Sequence, residues 1–362
     1  MNMNPQLFKI TTSRLRIFHE KVKKTEGVID FTLGDAHENV NEDIKEAAIR
    51  SLDHNETHYS ESQGLYELRE LLCLKEMFYD IQEICITSGA TQGLFEVMMT
   101  LFEKDDGLLV GIPAYPSYIS LCMLFDLDLQ TFIFDDEFQI SEDFLRAAIK
   151  ENTKALLINH PHNPSGSVLN QRSIRILHKI CKEYDLLLIW DATYFECGSY
   201  PTLYHPQLHE SIIQIHSFSK SSLMCGFRVG YICAPLNKMK EIVKLHQLIQ
   251  SCLPVFTQKS ALTALHSPFV SYDEQKRYIL RRLIDMGIDV IETEGPYYIF
   301  FSIKPFHLSS EEFAYRMLEE VQTAVLPGKY FYYEHHIRMS CCIDLEKCKE
   351  GCDRLEAFVR KL

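Results

Sequence analysis

Short apolar runs alternate with amphipathic stretches of helical period through the middle of the chain. The apolar runs predict strands at residues 84–87, 107–111, 129–134, 155–159, 186–191, 212–217 and 229–233. Between them, helical periodicity predicts helices at 91–102, 141–151 and 171–184. This alternation is typical of βαβ units. Because several runs are apolar on both faces, we predict an α/β fold with a mostly parallel sheet covered by helices on both sides.

The pattern changes near residue 253. A long helical stretch at 253–282 is followed by an alternating strand at 297–303, a helix at 309–322, a strand at 337–342 and a terminal helix. These elements predict a smaller α+β unit. The N-terminal segment, helical at 12–24 and apolar at 28–33, is too short for a domain of its own. We therefore predict a large domain at 38–252, and a small domain made of 1–37 and 253–362.

Charge and composition exclude several classes of partner. The 362 residues carry 37 Lys and Arg against 50 Asp and Glu, a formal charge of −13. This acidic balance argues against nucleic-acid and membrane binding. Because the first ten residues lack the apolar stretch of a signal peptide and no long apolar run follows, we expect a cytoplasmic protein.

The 12 cysteines form no CxxC pair, so free thiols are expected. Four of them cluster near the C-terminus, at Cys341, Cys342, Cys348 and Cys352. They have no matching pair of histidines, so buried thiols are favoured over a metal site. We expect no metal.

Polar residues follow the predicted strands, where ligands bind in open α/β sheets. Ser88-Gly89-Ala90-Thr91 leads from a strand into a helix, whose free amides and dipole suit a phosphate. Asp191 ends a run of apolar residues, so we expect it to be buried and to need a cationic or hydrogen-bonding partner.

Several motifs in order along the chain carry a family resemblance. Ser217-x-Ser219-Lys220 is followed by Gly226-x-Arg228-x-Gly230, and upstream lie Pro161-x-Asn163-Pro164-Ser165-Gly166 and Asp191-x-x-Tyr194. With these motifs the chain resembles the pyridoxal-5′-phosphate (PLP) enzymes of fold type I, specifically the class I/II aminotransferases, from about residue 34 to 338. The resemblance implies a sheet of about seven mostly parallel strands plus a smaller α+β domain.

The resemblance implies a set of residues that bind the cofactor. Lys220 would form the internal aldimine and carry the proton, and Arg228 would hold the phosphate with Ser217, Ser219 and the amides of Ala90 and Thr91. A lysine that is desolvated near a cation loses its proton more readily, which agrees with that role.

Four further residues would contact the cofactor ring. Asp191 would pair with the pyridine nitrogen and keep it protonated. Asn163 and Tyr194 would hydrogen-bond the phenolic oxygen, and Tyr115 would stack on the ring.

Three residues would bind the substrate. Arg338 would bind the substrate α-carboxylate with its guanidinium fork, and Gly34 and Asn163 would lie beside it. Tyr59 matches a tyrosine that reaches the phosphate of the neighbouring subunit, so a homodimer with shared active sites is implied.

The implied reaction transfers an amino group from an L-amino acid to a 2-oxo acid. A PLP-dependent carbon–sulfur β-lyase, or another non-transaminating enzyme of this fold type, stays open, because the cofactor supplies the chemistry and the pocket chooses the bond. Leu223-Met224-Cys225 departs from the smaller, glycine-containing family pattern, which bears on the substrate. A binding or regulatory protein is the third alternative, although no basic DNA-binding segment precedes Gly34.

Overall fold

A computed structural model describes residues 5–10, 12–76 and 78–362. Residues 1–4 and 11 of the predicted small domain, and residue 77 of the large one, lie outside this part. The strands are β1 (Ile29–Asp30), β2 (Ile84–Thr87), β3 (Gly107–Ile112), β4 (Asp128–Ile133), β5 (Thr153–Asn159), β6 (Leu187–Asp191), β7 (Ile212–Ser217), β8 (Gly230–Cys233), β9 (Tyr298–Ser302), β10 (Thr323–Ala324), β11 (Leu326–Pro327) and β12 (His336–Ser340). The helices are α1 (Arg14–Lys23), α2 (Glu42–Asp53), α3 (Tyr66–Glu76), α4 (Gly89–Leu101), α5 (Pro116–Leu124), α6 (Glu142–Ala148), α7 (Gln171–Glu183), α8 (Phe218–Ser221), α9 (Leu236–Ile249), α10 (Val255–Ala264), α11 (Asp273–Asp285), α12 (Ser310–Val321) and α13 (Leu345–Val359).

Seven strands form the main sheet, in the order β2-β8-β7-β6-β5-β3-β4. Strand β8 runs antiparallel to both of its neighbours, and the other pairings are parallel. The seven strands occupy the seven apolar runs of the sequence, and their ends differ from the predicted ones by no more than two residues. The predicted α/β class and mostly parallel sheet are confirmed.

Alternate residues of the central strands enter two separate core layers. Leu156 and Ile158 face one layer with helices α6 and α7, whereas Ala155 and Leu157 face the other with α4, α5 and α9. Successive side chains of a strand point to opposite faces. The continuous apolar runs are therefore explained by a sheet that helices cover on both sides.

The C-terminal part builds a second sheet, in the antiparallel order β11-β12-β9. The N-terminal segment joins this part, because β1 pairs in parallel with β10, and Phe18 of α1 packs edge-on against Tyr315 of α12. Helix α10 instead contributes Ala261 and Ala264 to a core layer of the main sheet. The division into domains at residues 37/38 and 252/253 stays a prediction.

Two of the predicted helices are corrected. The single helical stretch at 253–282 is wrong, because the chain forms α10 and α11 with a break around Pro268. Proline donates no backbone hydrogen bond and disfavours helical geometry at the preceding residue. The helix predicted at 141–151 ends at Ala148, since Ile149 adopts an extended ψ of 130°.

The C-terminal cysteines are buried free thiols, and Cys348 and Cys352 lie one turn apart on α13. Among the described residues, none of the helices combines the length and the apolar character needed to cross a bilayer.

Candidate active site

One cleft of about 260 Å³ opens at the carboxyl ends of the main-sheet strands. It brings together every residue that the sequence assigned to the site except Tyr59. Its lining includes Gly34, Ala90, Thr91, Tyr115, Asn163, Asp191, Tyr194, Ser217, Ser219, Lys220, Arg228 and Arg338.

Lys220 enters the cleft from the short helix α8, directly after β7. The Ser217 hydroxyl caps this helix by accepting a hydrogen bond from the Ser219 amide at 3.1 Å. Lys220 Nζ donates to the Gly34 carbonyl at 2.6 Å. Gly34 has no room for a side chain, because a Cβ there would lie 2.1 Å from the Tyr298 hydroxyl. The glycine thus lets the backbone approach the lysine.

The charge on Lys220 differs from the sequence-based expectation. Burial alone lowers the pKa of Lys220, but the acidic groups around it, Tyr298, Cys225, Cys342 and Asp35, together outweigh burial and raise it. In the protein without cofactor, Lys220 is therefore an ammonium group at neutral pH. The sequence led us to expect a cation near Lys220 that lowers its pKa. The neighbours that shift this pKa are acidic groups instead.

Hydrogen-bond donors suited to an anion collect at the start of α4. Arg228 Nη2 lies 3.4 Å from the Ser88 carbonyl, and Nη1 lies 3.5 Å from the Ser219 hydroxyl. Arg228 itself adopts a left-handed φ of 55°, which costs about 1–2 kcal/mol in a non-glycine residue. Gly89 also has a left-handed φ, of 73°, and a Cβ there would lie 2.5 Å from Arg228 Nη2.

Asp191 is the buried end of β6, as predicted. Its Oδ2 accepts a hydrogen bond from the Tyr118 hydroxyl at 2.5 Å, and its Oδ1 accepts from the Thr193 amide at 3.0 Å. Burial raises the pKa of Asp191 above its ordinary value. A carboxylate in this position gains from a cationic or N–H partner in the cleft.

Arg338 lies on β12, and its side chain hydrogen-bonds to two distant parts of the chain. Nη1 donates to the Asn163 side-chain oxygen at 2.9 Å, and Nη2 donates to the Thr32 carbonyl at 2.5 Å. Its guanidinium packs over the Tyr298 ring at 4.2 Å. Arg338 is only 3% exposed, and its Nε has no partner among the described residues. Arg338 also lines the cleft, so a ligand bound there can contact its side chain.

Tyr194 and Tyr115 form the aromatic walls. The Tyr194 hydroxyl lies 2.8 Å from the Tyr298 hydroxyl. Burial raises the pKa of Tyr194 well above its ordinary value, so its hydroxyl is neutral. Tyr115 caps α5 and packs edge-on against Tyr118.

Tyr59 lies outside the cleft of its own chain. It follows α2 in a loop and is 90% exposed. A tyrosine that is so exposed buries almost none of its apolar ring within its own chain.

Sequence reasoning missed Tyr118, Tyr298 and Asn159 as site residues. Tyr118 was visible three residues after Tyr115, a spacing that places both on one side of a helix. Asn159 ends β5 and accepts from the Asn163 amide at 2.7 Å. Tyr298 carries no local signal, because its partners come from distant segments.

Comparisons with known proteins agree with this architecture. Residues 26–355 match the model of the family described as aminotransferase class I and II. The chain is 32% identical to a probable N-acetyl-LL-diaminopimelate aminotransferase of Bacillus subtilis, over 99% of this chain and 96% of the relative. It is 30% identical to an aspartate aminotransferase of Pyrococcus horikoshii, over 96% and 94% of the two chains.

A solved structure agrees as well. The aspartate aminotransferase of Thermotoga maritima superposes with a TM-score of 0.92 at 28% identity, covering 99% of this chain and 100% of that one. These relatives are named aminotransferases, which favours transamination over the carbon–sulfur lyase alternative. The chain belongs to the class I and II aminotransferases, enzymes that transfer amino groups with PLP as cofactor.

Proposed function

We propose that this cleft binds PLP on Lys220 and transfers the amino group of an L-amino acid to a 2-oxo acid. The observation that carries the assignment is the meeting of Lys220, Asp191 and Arg338 in one cleft. When bound, PLP supplies an electron sink that stabilises negative charge at the substrate Cα. The protein supplies binding, orientation and proton transfer.

The donors at one end of the cleft fit a phosphate. We assign the phosphate to Arg228, to the hydroxyls of Ser217 and Ser219, and to the first-turn amides of α4 at Ala90 and Thr91. Gly89 supports this assignment. Its left-handed backbone and missing side chain let the Arg228 guanidinium lie against the start of α4, where a Cβ would displace it. A helix N-terminus and an arginine both favour an anion.

The other end of the cleft fits a protonated pyridine ring. Asp191 is buried and holds both oxygens on donors, so its carboxylate is fixed in direction. We assign it to the ring nitrogen, where its charge keeps the proton in place. Asn163 and Tyr194 are assigned to the phenolic oxygen, and Tyr115 to the ring face.

Substrate binding is assigned to Arg338, and proton transfer is assigned to Lys220. Arg338 binds the α-carboxylate, and its unpartnered buried Nε supports this role. Lys220 Nζ, in its neutral amine form, would carry the proton from the substrate Cα to the cofactor C4′. Because Gly34 lies within hydrogen-bond distance of Lys220, we assign it to the wall beside the substrate carboxylate.

We further propose a cytoplasmic homodimer with shared sites. The exposed Tyr59 supports this, since a phenol outside its own cleft is free to contact the phosphate of a second subunit. The substrates are small molecules, an amino acid and a 2-oxo acid. The two relatives are named for N-acetyl-LL-diaminopimelate, in a probable aminotransferase, and for aspartate, so these two donors come first among the candidates.

The test follows the visible absorption of the purified protein while single amino acids are added without an oxo acid. We expect one donor to convert the bound cofactor stoichiometrically to its amine form and then to stop. Catalytic release of pyruvate, ammonia or a thiol would instead support the lyase alternative. A protein that binds no PLP would contradict both.

A further inference from the structure

Gln92 lies one turn behind the proposed phosphate site, on α4. Its side-chain oxygen Oε1 accepts a hydrogen bond from the Ser88 backbone amide at 2.7 Å. Ser88 is the N-cap residue, directly before the first residue of this helix, and its own side chain makes no capping bond. The first amides of a helix lack partners within the helix. Gln92 therefore engages one of them from inside the helix.

The other end of the same side chain is held just as firmly. Gln92 Nε2 donates to Glu96 Oε1 at 2.7 Å. Glu96 is fully buried, and it also accepts from His246 Nδ1 of α9 at 3.0 Å. Because a carboxylate only accepts hydrogen bonds, Glu96 selects the NH₂ end of Gln92 and leaves Oε1 for Ser88.

The consequence concerns the neighbouring backbone. Ser88 directly precedes Gly89, and its carbonyl lies 3.4 Å from Arg228 Nη2. The bond to the Ser88 amide orients the Thr87–Ser88 peptide group directly before α4, and through it the start of the helix and the amides of Ala90 and Thr91. An unpartnered Ser88 amide would leave this turn without its anchor.

We propose that Gln92 is a positioning residue for the cofactor phosphate, held in its working orientation by Glu96 and His246. The inference rests on the phosphate site proposed above. Gln92 does not touch the cofactor in this proposal, and acts through the Ser88 backbone. Its effect is therefore on ligands that carry a phosphate.

The test compares PLP with pyridoxal, which lacks the phosphate. Apoprotein is titrated with each ligand, following the fluorescence of Trp190, the single tryptophan of the chain, which directly precedes Asp191. For Gln92→Leu we expect PLP to bind about tenfold more weakly, the usual effect of leaving a polar group unpaired. Pyridoxal affinity should stay unchanged.

Gln139→Leu is the matched control. Gln139 Oε1 accepts from the backbone amide of Asn170, the N-cap residue of α7, and neither residue lines the cleft. We expect Gln139→Leu to lower the melting temperature and to leave the ratio of PLP affinity to pyridoxal affinity unchanged. Equal losses for both ligands in Gln92→Leu, or no loss, would overturn the proposal while the wild type still binds PLP. A wild type that binds neither ligand would overturn the proposed function as well.

A second pair of variants tests the proposal even if Gln92→Leu does not fold. Gln92→Glu places two carboxylates together and should lose PLP affinity. Adding Glu96→Gln restores a donor opposite Glu at position 92, so the double variant should bind PLP more tightly than Gln92→Glu alone. Failure of this rescue, with both proteins folded by circular dichroism, would also overturn the proposal.

Discussion

Asp191 is the residue whose charge depends most directly on the site around it. Burial raises its pKa above the ordinary value of 3.8, although Tyr118 and the Thr193 amide lower it in part. Without cofactor, the folded protein therefore holds this proton more tightly than the unfolded chain does. Its contribution to stability is lost as pH rises from the unfolded pKa through the raised folded pKa.

Asp191→Asn tests this linkage. Without cofactor, we expect the variant to melt at a higher temperature than the wild type at neutral pH, because it buries no charge. The difference should shrink as pH falls toward 4, measured by thermal denaturation at pH 4 to 8. With PLP and a donor, turnover should fall about a hundredfold, since removing one partner of a buried pair costs roughly 3 kcal/mol or more. A difference in melting temperature that does not vary with pH would contradict this account.

Lys220→Ala tests the proposed nucleophile and base. We expect turnover to fall to background, because the variant has no amine at this position, while the protein still folds. Lys244→Ala is the control, since Lys244 is an exposed lysine of α9 that pairs with Glu241 on the surface. Steady-state assays with the best donor measure both. Retained turnover in Lys220→Ala would rule out the assigned role.

Among the elements, α4 shows how local backbone geometry serves the site. Its first residue, Gly89, combines a left-handed φ with a close approach to Arg228. The sequence predicted this helix from residue 91, whereas the structure begins it at residue 89. Periodicity locates the apolar face of a helix, but the backbone at its first residue depends on what the loop contacts.

Gly89→Ala tests two effects, the backbone strain of a left-handed residue and the close approach of Arg228 to this position. We expect a loss of about 1–2 kcal/mol in the free energy of unfolding, from the left-handed φ, and weaker PLP binding from displacement of Arg228. Gly27→Ala is the matched control, because Gly27 has a φ of 66° and open space around its Cβ position. It should lose similar stability, measured by urea denaturation, and keep its PLP affinity. Equal PLP affinity in the two variants would contradict the proposed contact.

The whole molecule is a main sheet linked to a C-terminal α+β part, with the N-terminal segment paired to the latter through β1 and β10. Arg338 crosses between these parts to reach Asn163 and Thr32. The cleft therefore depends on all three regions of the chain. In the proposed homodimer, the exposed Tyr59 would extend the same dependence to a second subunit.

Mixing two defective subunits tests the shared site. Lys220→Ala and Tyr59→Ala proteins, unfolded and refolded together, should form mixed dimers in which one site has an intact Lys220 and an intact Tyr59. At limiting PLP we expect activity to recover to about a quarter of the wild type, since half of the dimers are mixed and each has one complete site. Each protein refolded alone is the control. Activity no higher than that of the controls would exclude a site shared through Tyr59.

The pattern of residues along the chain was enough to predict the main sheet, the family and most of the residues that line the cleft. Continuous apolar runs place strands wherever both faces are buried, and motif residues at strand ends converge because parallel strands end at one edge. Contacts between residues that lie far apart in the sequence could be identified only in the folded structure. Tyr118 reaches Asp191 across 73 residues, and Tyr298 reaches Tyr194 across 104. Such contacts depend on how distant segments pack against each other. Only the folded chain therefore shows which tyrosines hydrogen-bond to the motif residues Asp191 and Tyr194.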